Sequence, residues 1–162
     1  MSDFVDLIDK GLFIKKYYNN WPEYIEDTSK VLFEADYTIE GFSDALIERE
    51  TLYPTGLILD GNSFNVAMPH GEFKYIKKEA IIVNVFEKPI LFNRMDEPDE
   101  QIEVKISFML LLKEAGSHLN TLKDLMQLFR NYETLKIIIE CDNKQDLMKL
   151  FSDSVSKTYI ET

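Results

Sequence analysis

His70 is the residue of this chain best suited to act as a nucleophile. It lies in the segment Ala67-Met68-Pro69-His70-Gly71, and it is one of two histidines in 162 residues. Proline supplies no N–H and favours an extended residue before it, so a strand is expected to end here and to present the imidazole at its edge. Gly71 then allows a sharp turn or the close approach of another molecule. A neutral, exposed imidazole can form a covalent intermediate, although a lone histidine after a proline is more often structural.

The second histidine, His118, follows Gly116-Ser117 and opens an apolar-periodic segment predicted to be a helix over 117–131. Ser117 is the predicted N-cap of this helix. A helix N-terminus carries free N–H groups and a partial positive charge, which favours a phosphate dianion nearby and a neutral imidazole. The alternative is a surface histidine at the start of a helix.

Arg49 is the third candidate, in the pair Arg49-Glu50 near the end of a predicted helix. A guanidinium presents a planar fork of donors that suits phosphate oxygens. The alternative is an exposed helix residue paired with Glu48 or Glu50, and the residues alone do not decide between these interpretations.

Several further donors lie close to these residues in the sequence. The hydroxyls of Thr55 and Ser117 are candidate substrate-binding groups. A short basic run follows His70, and it is either a solvated face or a surface for phosphate or an acidic partner. Its members are Lys74, Lys77 and Lys78.

Other chemistries lack their sequence patterns. There is no G-x-x-x-x-G-K-[ST] loop and no kinase glycine-rich loop, so ATP is not the expected phosphoryl donor. A hydrolase elbow of the G-x-S-x-G form is missing as well. The two histidines and Glu72 would supply three metal ligands, but their spacing does not support a metal site. No cofactor is expected.

Two segments together resemble a known family. They are Arg49-Glu50-Thr51-Leu52-Tyr53-Pro54-Thr55-Gly56 and, after a short spacer, Ala67-Met68-Pro69-His70-Gly71. They resemble the phosphorylation-site region of the IIA domains of the bacterial sugar phosphotransferase system, fructose/mannitol type. The Pro-Thr-Gly-Leu sequence is most similar to the galactitol-like branch. The resemblance extends over residues 25–150.

The resemblance implies a function and partners. It implies that His70 accepts a phosphoryl group, that His118 hydrogen-bonds this group and that Arg49 stabilises its charge. The donor would be the histidine-containing phosphocarrier protein, and the acceptor a cysteine of a cognate IIB during sugar uptake. The membrane would be involved only through the IIB/IIC permease. The alternative is a regulatory module of the nitrogen-type IIA kind, in which phosphorylation of His70 switches partner binding.

Composition is consistent with a cytosolic single domain over residues 1–162. The net charge of −11 argues against nucleic-acid binding, which depends on many Lys and Arg contacts to phosphate. The single cysteine, Cys141, excludes an internal disulfide and is expected to be a small core residue. No apolar run reaches the length of a membrane span, and the first residues show no basic region of a secretory signal.

The hydrophobic patterns predict an α/β fold, with a mixed sheet of about five strands flanked by helices on both faces. Residues 1–20 are interpreted as an extension or a first strand. One helix is predicted to begin at Trp21. Four further helices are predicted over residues 41–50, 117–131, 132–140 and 144–154. Strands are predicted over 57–59, 64–68, 80–86, 89–94 and 102–112, with a turn at Asp60-Gly61-Asn62.

Overall fold

The computed structural model describes residues 2–59 and 64–152, which form an α/β fold around one mixed sheet. The helices are α1 (Ser2–Lys10), α2 (Trp21–Glu34), α3 (Phe42–Leu52), α4 (Ala115–Phe129), α5 (Tyr132–Glu140) and α6 (Lys144–Ser152). The strands are β1 (Phe13–Lys16), β2 (Gly56–Leu57), β3 (Asn65–Ala67), β4 (Ala80–Asn93) and β5 (Gln101–Leu111). The predicted fold class is confirmed.

The sheet has the strand order β1-β4-β5-β3-β2. Its centre is the antiparallel pair β4 and β5, which are long strands joined by a short turn. On either side of them lies a parallel neighbour, β1 beside β4 and β3 beside β5. The edge strand β2 pairs antiparallel with β3. The parallel pairing of β3 with β5 matters most for function, because the carboxyl ends of parallel strands meet at one edge of a sheet.

Two apolar cores cover the two faces of the sheet. Side chains of α1, α4, α5 and α6 pack on one face, and those of α2 and α3 pack on the other. Strand residues alternate between the cores: in β4, Ile81 and Val83 belong to the first core, and Ile82 belongs to the second. This alternation is the period of two that a strand buried on both faces requires.

The first residues are helical, which the sequence interpretation did not include. Phe4, Leu7 and Ile8 are buried against the sheet from α1, at the spacing of one helix face. The strand predicted near the start is also present, but it covers only β1. Residues 2–16 therefore comprise a helix followed by the first strand.

The two strands predicted over 80–86 and 89–94 are one continuous strand, β4. Its pairing with β5 shifts between Val85, opposite Ile106, and Ile90, opposite Val104. Pro89 lies in this irregular stretch, whose residues 87–89 are exposed. Proline cannot donate a ladder hydrogen bond, and a bulge accommodates it without ending the strand.

Other boundaries differ by a few residues. The strand predicted over 57–59 is the two-residue β2, and the one predicted over 64–68 is β3. The turn predicted at residues 60–62 lies outside the described residues, as do residues 153–154 of the last predicted helix. Within the described ranges, no helix is both long and apolar enough to cross a membrane.

Candidate active site

His70 lies three residues after the end of β3 and beside the carboxyl end of β5. Pro69 has no N–H, but its carbonyl still accepts a hydrogen bond from the Leu110 amide at 3.0 Å. His70 itself forms an isolated parallel bridge to Leu110. The proline therefore does not end the pairing at once, and the backbone of His70 is anchored to a central strand of the sheet.

Gly71 does not need glycine's conformational freedom. Its φ is not positive, and a Cβ at this position would meet only Leu46 Cδ1, at an ordinary 3.7 Å. The sharp turn suggested by the sequence is therefore not the reason for this residue. The close approach of another molecule to His70 stays a prediction.

His118 is brought beside His70 by the connection from β5 to α4. The two ring centroids are 4.8 Å apart, with the ring planes inclined by 57°. Helix α4 begins at Ala115, two residues earlier than predicted, and the His118 amide closes its first turn by donating to the Glu114 carbonyl at 3.2 Å. The prediction that Ser117 caps the helix is wrong, because Glu114 is at the N-cap and no side-chain cap hydrogen bond forms there.

An open cavity of about 340 Å³ surrounds the two histidines. Its lining comes from the last turn of α3, the segment after β3 and the first turn of α4. The lining residues are Arg49, His70, Gly71, Glu72, Phe73, Lys74 and His118. Three candidates that are distant in the sequence, Arg49, His70 and His118, therefore share one cavity.

A larger depression of about 470 Å³ lies between α1 and the start of α4. Its charged lining consists of Lys10 and four carboxylates, from Asp6, Glu79, Glu114 and Asp124. It contains no histidine, so it lacks the nucleophile that makes the smaller cavity the better candidate.

Arg49 contributes an unpaired positive charge to the cavity. Its guanidinium carbon is 5.5 Å from the centroid of the Tyr53 ring, and among the described residues no carboxylate lies within ion-pair distance of it. Arg94, by contrast, is bound to Asp96 and Glu100 at 2.7 Å. The pairing of Arg49 with Glu48 or Glu50, which the sequence left open, is not formed.

One hydrogen bond determines the tautomer of His70, and its pKa determines the charge of the ring. Its Nδ1 is 2.8 Å from the carbonyl oxygen of Met68, which can only accept, so Nδ1 carries the proton. The pKa of His70 is lowered to about 4, chiefly by burial and to a smaller extent by electrostatic interaction with His118 and Arg49, against the opposing effect of the Met68 hydrogen bond. At neutral pH the ring is therefore neutral, and Nε2 carries the free lone pair.

His118 is also biased toward the neutral form. Partial burial lowers its pKa, and the charge of Arg49 adds to this effect. The Phe73 ring contacts it in an edge-to-face arrangement, with the ring centroids 6.1 Å apart. A neutral imidazole can donate one hydrogen bond from its protonated nitrogen, so His118 can act as a donor without a net charge.

Thr55 and Ser117 differ from the other predicted site residues. Thr55 is buried, and both its amide and its hydroxyl donate to the Glu50 carboxylate, at 2.7 and 2.9 Å. It is not among the residues that line the cavity. The side chain of Ser117 lies outside what the structure describes, so its predicted role is not tested.

The sequence analysis did not identify Glu50 as a functional or buried residue. An acid next to an arginine in a predicted helix is typical of an exposed ion pair. Glu50 is only 3% exposed, and Thr55 supplies its partners. Burial raises the pKa of Glu50 to about 7, although the Thr55 hydrogen bonds and the charge of Arg49 oppose the rise. A helix position whose contacts come from the following loop could not be recognised before the fold was known.

Glu50→Gln is expected to change the pH dependence of stability. Glu50 ionises at a lower pH in the unfolded chain, so its contribution to folding is complete below about pH 4.5 and is lost as the pH rises through about 7. Relative to wild type, the Gln variant should gain on the order of 2–3 kcal/mol in free energy of unfolding between pH 4.5 and pH 8.

Urea unfolding of both proteins at pH 5 and pH 8 checks this prediction. The opposite trend expected from His70 is common to both proteins and cancels in the difference. A difference in stability that stays constant with pH would contradict the assignment of a raised pKa to Glu50.

Within the described ranges, no three His, Cys, Asp or Glu side chains are grouped so that they could hold a metal ion. The cavity brings together two imidazoles and a guanidinium that has no carboxylate partner among the described residues. These groups are a nucleophile and donors for an anion, a combination that suits phosphoryl transfer.

Comparison with known proteins identifies the family. Residues 7–154 match the family model described as "Phosphoenolpyruvate-dependent sugar phosphotransferase system, EIIA 2". The chain belongs to this family of phosphotransferase-system IIA domains, which carry phosphoryl groups.

The relatives are of the mannitol type. The mannitol-specific EIICBA component of Buchnera aphidicola is 26% identical over 149 residues, which cover 90% of this chain and 22% of that protein. The chain thus spans about a fifth of the length of this relative. The galactitol-like branch suggested by the sequence is not confirmed.

Solved structures share the fold. The crystal structure of a putative IIA (PtxA) from Streptococcus mutans has a TM-score of 0.74 at 18% identity, covering 100% of this chain and 99% of that one. The Escherichia coli complex of enzyme IIA-mannitol with phosphorylated enzyme IIB-mannitol has a TM-score of 0.68 at 14% identity, covering 86% of this chain and 92% of the matched chain.

Proposed function

We propose that this chain is the phosphocarrier IIA component of a sugar phosphotransferase system and that His70 accepts the phosphoryl group on Nε2. The observation that carries the proposal is the Nδ1 hydrogen bond to the Met68 carbonyl, which leaves the Nε2 lone pair free in a ring held neutral by burial. Family membership supports the reaction, and the shared cavity with Arg49 and His118 supports the residue.

The proposed reaction consists of two transfers. In the first, the Nε2 lone pair forms a P–N bond to the phosphoryl group while the P–N bond of the phosphocarrier histidine breaks, and the electron pair of that bond returns to the carrier imidazole. In the second, a cysteine thiolate of a cognate IIB attacks phosphorus, a P–S bond forms and the electron pair returns to His70 Nε2. No ATP and no cofactor take part.

Arg49 and His118 would act on the charge that arrives with phosphorus. The guanidinium has no carboxylate partner among the described residues, so it is available to the phosphoryl oxygens. The His118 ring lies close enough to His70 to donate a hydrogen bond to the same group. Donors placed in advance where negative charge develops are the principal means of catalysis for this reaction.

Arg49→Lys should slow phosphoryl transfer to His70 by about tenfold, because the ammonium keeps the charge but loses the planar fork. Arg49→Ala should slow it more. Rapid-quench measurement of phosphorylation gives these rates. Arg94→Lys is the matched control, since Arg94 is bound to Asp96 and Glu100 and is not part of the cavity lining. Wild-type rates in both Arg49 variants would remove Arg49 from the site.

The proposed partners are the histidine-containing phosphocarrier protein and a cognate IIB, and the proposed location is the cytoplasm. Contact with the membrane would be indirect, through a IIB/IIC permease. The IIA–IIB complex among the structural matches supports the second partner. The Pro-Thr-Gly-Leu sequence supports membership of the galactitol-like branch, which classifies the sequence and does not assign a sugar.

Reconstitution tests the proposal. The chain is phosphorylated with phosphoenolpyruvate, enzyme I and the phosphocarrier protein, freed from these proteins and mixed with the IIB proteins of the same organism. Transfer of the label to a IIB cysteine within seconds is the expected result. Labelling without transfer to any IIB would favour the regulatory alternative, and the absence of labelling would refute the proposed function.

A further inference from the structure

We infer that Lys74 is a second cation of the phosphoryl site, held by Glu72 while His70 is unmodified and turned to the phosphoryl group once it arrives. This inference rests on the proposed function of His70, and it assigns to one lysine of the basic run the phosphate contact that the sequence left open for all three. It makes the pair Glu72–Lys74 a charge switch that favours the phosphorylated state.

Geometry places the pair at the site. Residues 73–75 form a short 3₁₀ turn just after His70, and both Glu72 and Lys74 line the cavity that holds the two histidines. Lys74 Nζ lies 3.6 Å from a carboxylate oxygen of Glu72 and 5.2 Å from the centroid of the Tyr75 ring. Both partners are more than half exposed, at 67% for the lysine and 59% for the glutamate.

The strength of this ion pair decides how it responds to a phosphoryl group. An exposed pair is worth little, because water screens the charges and two side chains must be ordered. A phosphoryl group brings a charge of about −1.5 to −2 near neutral pH, roughly twice that of a carboxylate. At equal distance it therefore attracts Lys74 more strongly than Glu72 does, and it repels Glu72. Lys74 is exposed and lines the same cavity as His70, so a change of side-chain rotamer is the movement that we propose for this exchange of anions.

The neighbouring lysines are occupied elsewhere, which singles out Lys74 from the basic run. Lys77 is paired with Asp36. Lys78 donates to the Ala35 carbonyl at 3.0 Å and lies over the Tyr37 ring. Neither residue lines the histidine cavity. The run of three lysines is therefore divided between two that bind the α2–α3 connection and one that faces the site.

The two members of the pair should act with opposite signs. Loss of Lys74 removes an attraction that exists only in the phosphorylated state. Loss of the Glu72 charge frees Lys74 in the resting state and also removes a repulsion on the phosphoryl group. A purely structural ion pair would give the same sign for both losses, because either one breaks the same contact.

The experiment measures the equilibrium between phosphorylated phosphocarrier protein and His70, by separating the two phosphoproteins at several carrier-to-IIA ratios. Lys74→Gln should lower the equilibrium constant for phosphorylation about three- to tenfold, and Glu72→Gln should raise it about two- to threefold. Lys77→Gln is the matched control for the loss of an ion-paired lysine and should leave it unchanged. The deficit of Lys74→Gln should shrink between 0.05 and 0.5 M salt, where screening is stronger.

The outcomes separate this inference from the proposed function. If His70→Ala is unlabelled but Lys74→Gln has the wild-type equilibrium constant, Lys74 is not part of the site and only the inference fails. Losses of the same size and sign in Lys74→Gln and Glu72→Gln, with matching losses of melting temperature, would also overturn it. Labelling that persists in His70→Ala would refute the proposed function and the inference together.

Discussion

His70→Ala should reduce phosphorylation by the phosphocarrier protein to background. No other nucleophile is presented in the cavity in the same way, with a neutral ring anchored by the Met68 carbonyl. The acceptor of the P–N bond is lost outright, so we expect this change to have the largest effect of any in the chain. Labelling with radioactive phosphoenolpyruvate in the presence of enzyme I and the carrier measures it.

Two controls accompany this variant. His118→Ala, which removes the other histidine, should still be labelled, though slowly. The melting temperature of His70→Ala should show that the protein is folded, since the side chain of His70 is only partly buried. Undiminished labelling in folded His70→Ala would show that the phosphoryl group resides elsewhere.

His118→Ala should slow transfer to and from His70 by about one to two orders of magnitude. A hydrogen bond to a charged group is worth roughly 1.5–3 kcal/mol, and this one would form only when phosphorus is at the site. The 4.8 Å separation of the rings places His118 within reach of a group on His70. His118→Gln keeps a donor of similar reach and should lose less.

Stability separates this role from a structural one. His118 is in the first turn of α4, and alanine is a good helix former there, so neither substitution should change the melting temperature much. Rates of phosphoryl transfer and melting temperatures are measured on the same preparations. Wild-type rates in His118→Ala, or a rate loss that follows an equal loss of stability, would leave His118 as a residue of the helix start only.

Much of the fold could be predicted because the strongest patterns are local. The alternation in Ile102, Val104, Ile106 and Phe108 predicts β5, and all four residues are buried in the sheet. Proline is favoured in the first turn of a helix, so Pro22 indicates the start of α2, and Asn20 caps this helix by accepting from the Glu23 amide. These features depend on the period of the side chains and on neighbouring residues, which the sequence displays directly.

The errors occurred where tertiary contacts override local signals. Pro89 suggested a break between two strands, but a bulge keeps β4 continuous, since β5 pairs with it on both sides. Helix α1 is short, and it is stabilised by tertiary packing of its apolar face, in which Phe4 and Ile8 join the core and Phe4 contacts Phe151 of α6. Ser117 looked like an N-cap, although the chain already turns into the helix at Ala115.

The candidate site was predictable in its residues and not in its geometry. The resemblance pointed to His70, His118 and Arg49, which the fold gathers in one cavity. Their proximity depends on the parallel pairing of β3 with β5, which carries His70 to the end of the sheet where α4 begins. The tautomer of His70, the burial of Glu50 and the position of Lys74 depend on contacts that no spacing in the sequence encodes.

The most direct test of the account is to locate the phosphoryl group by NMR. The ¹⁵N-labelled protein is phosphorylated with phosphoenolpyruvate, enzyme I and the phosphocarrier protein, and the imidazole nitrogens are observed by long-range ¹H–¹⁵N correlation, with His118→Gln used to assign the two rings. The account predicts phosphorus on Nε2 of His70, with Nδ1 still protonated and bonded to the Met68 carbonyl. Phosphorus on Nδ1 of His70, or on either nitrogen of His118, would contradict it.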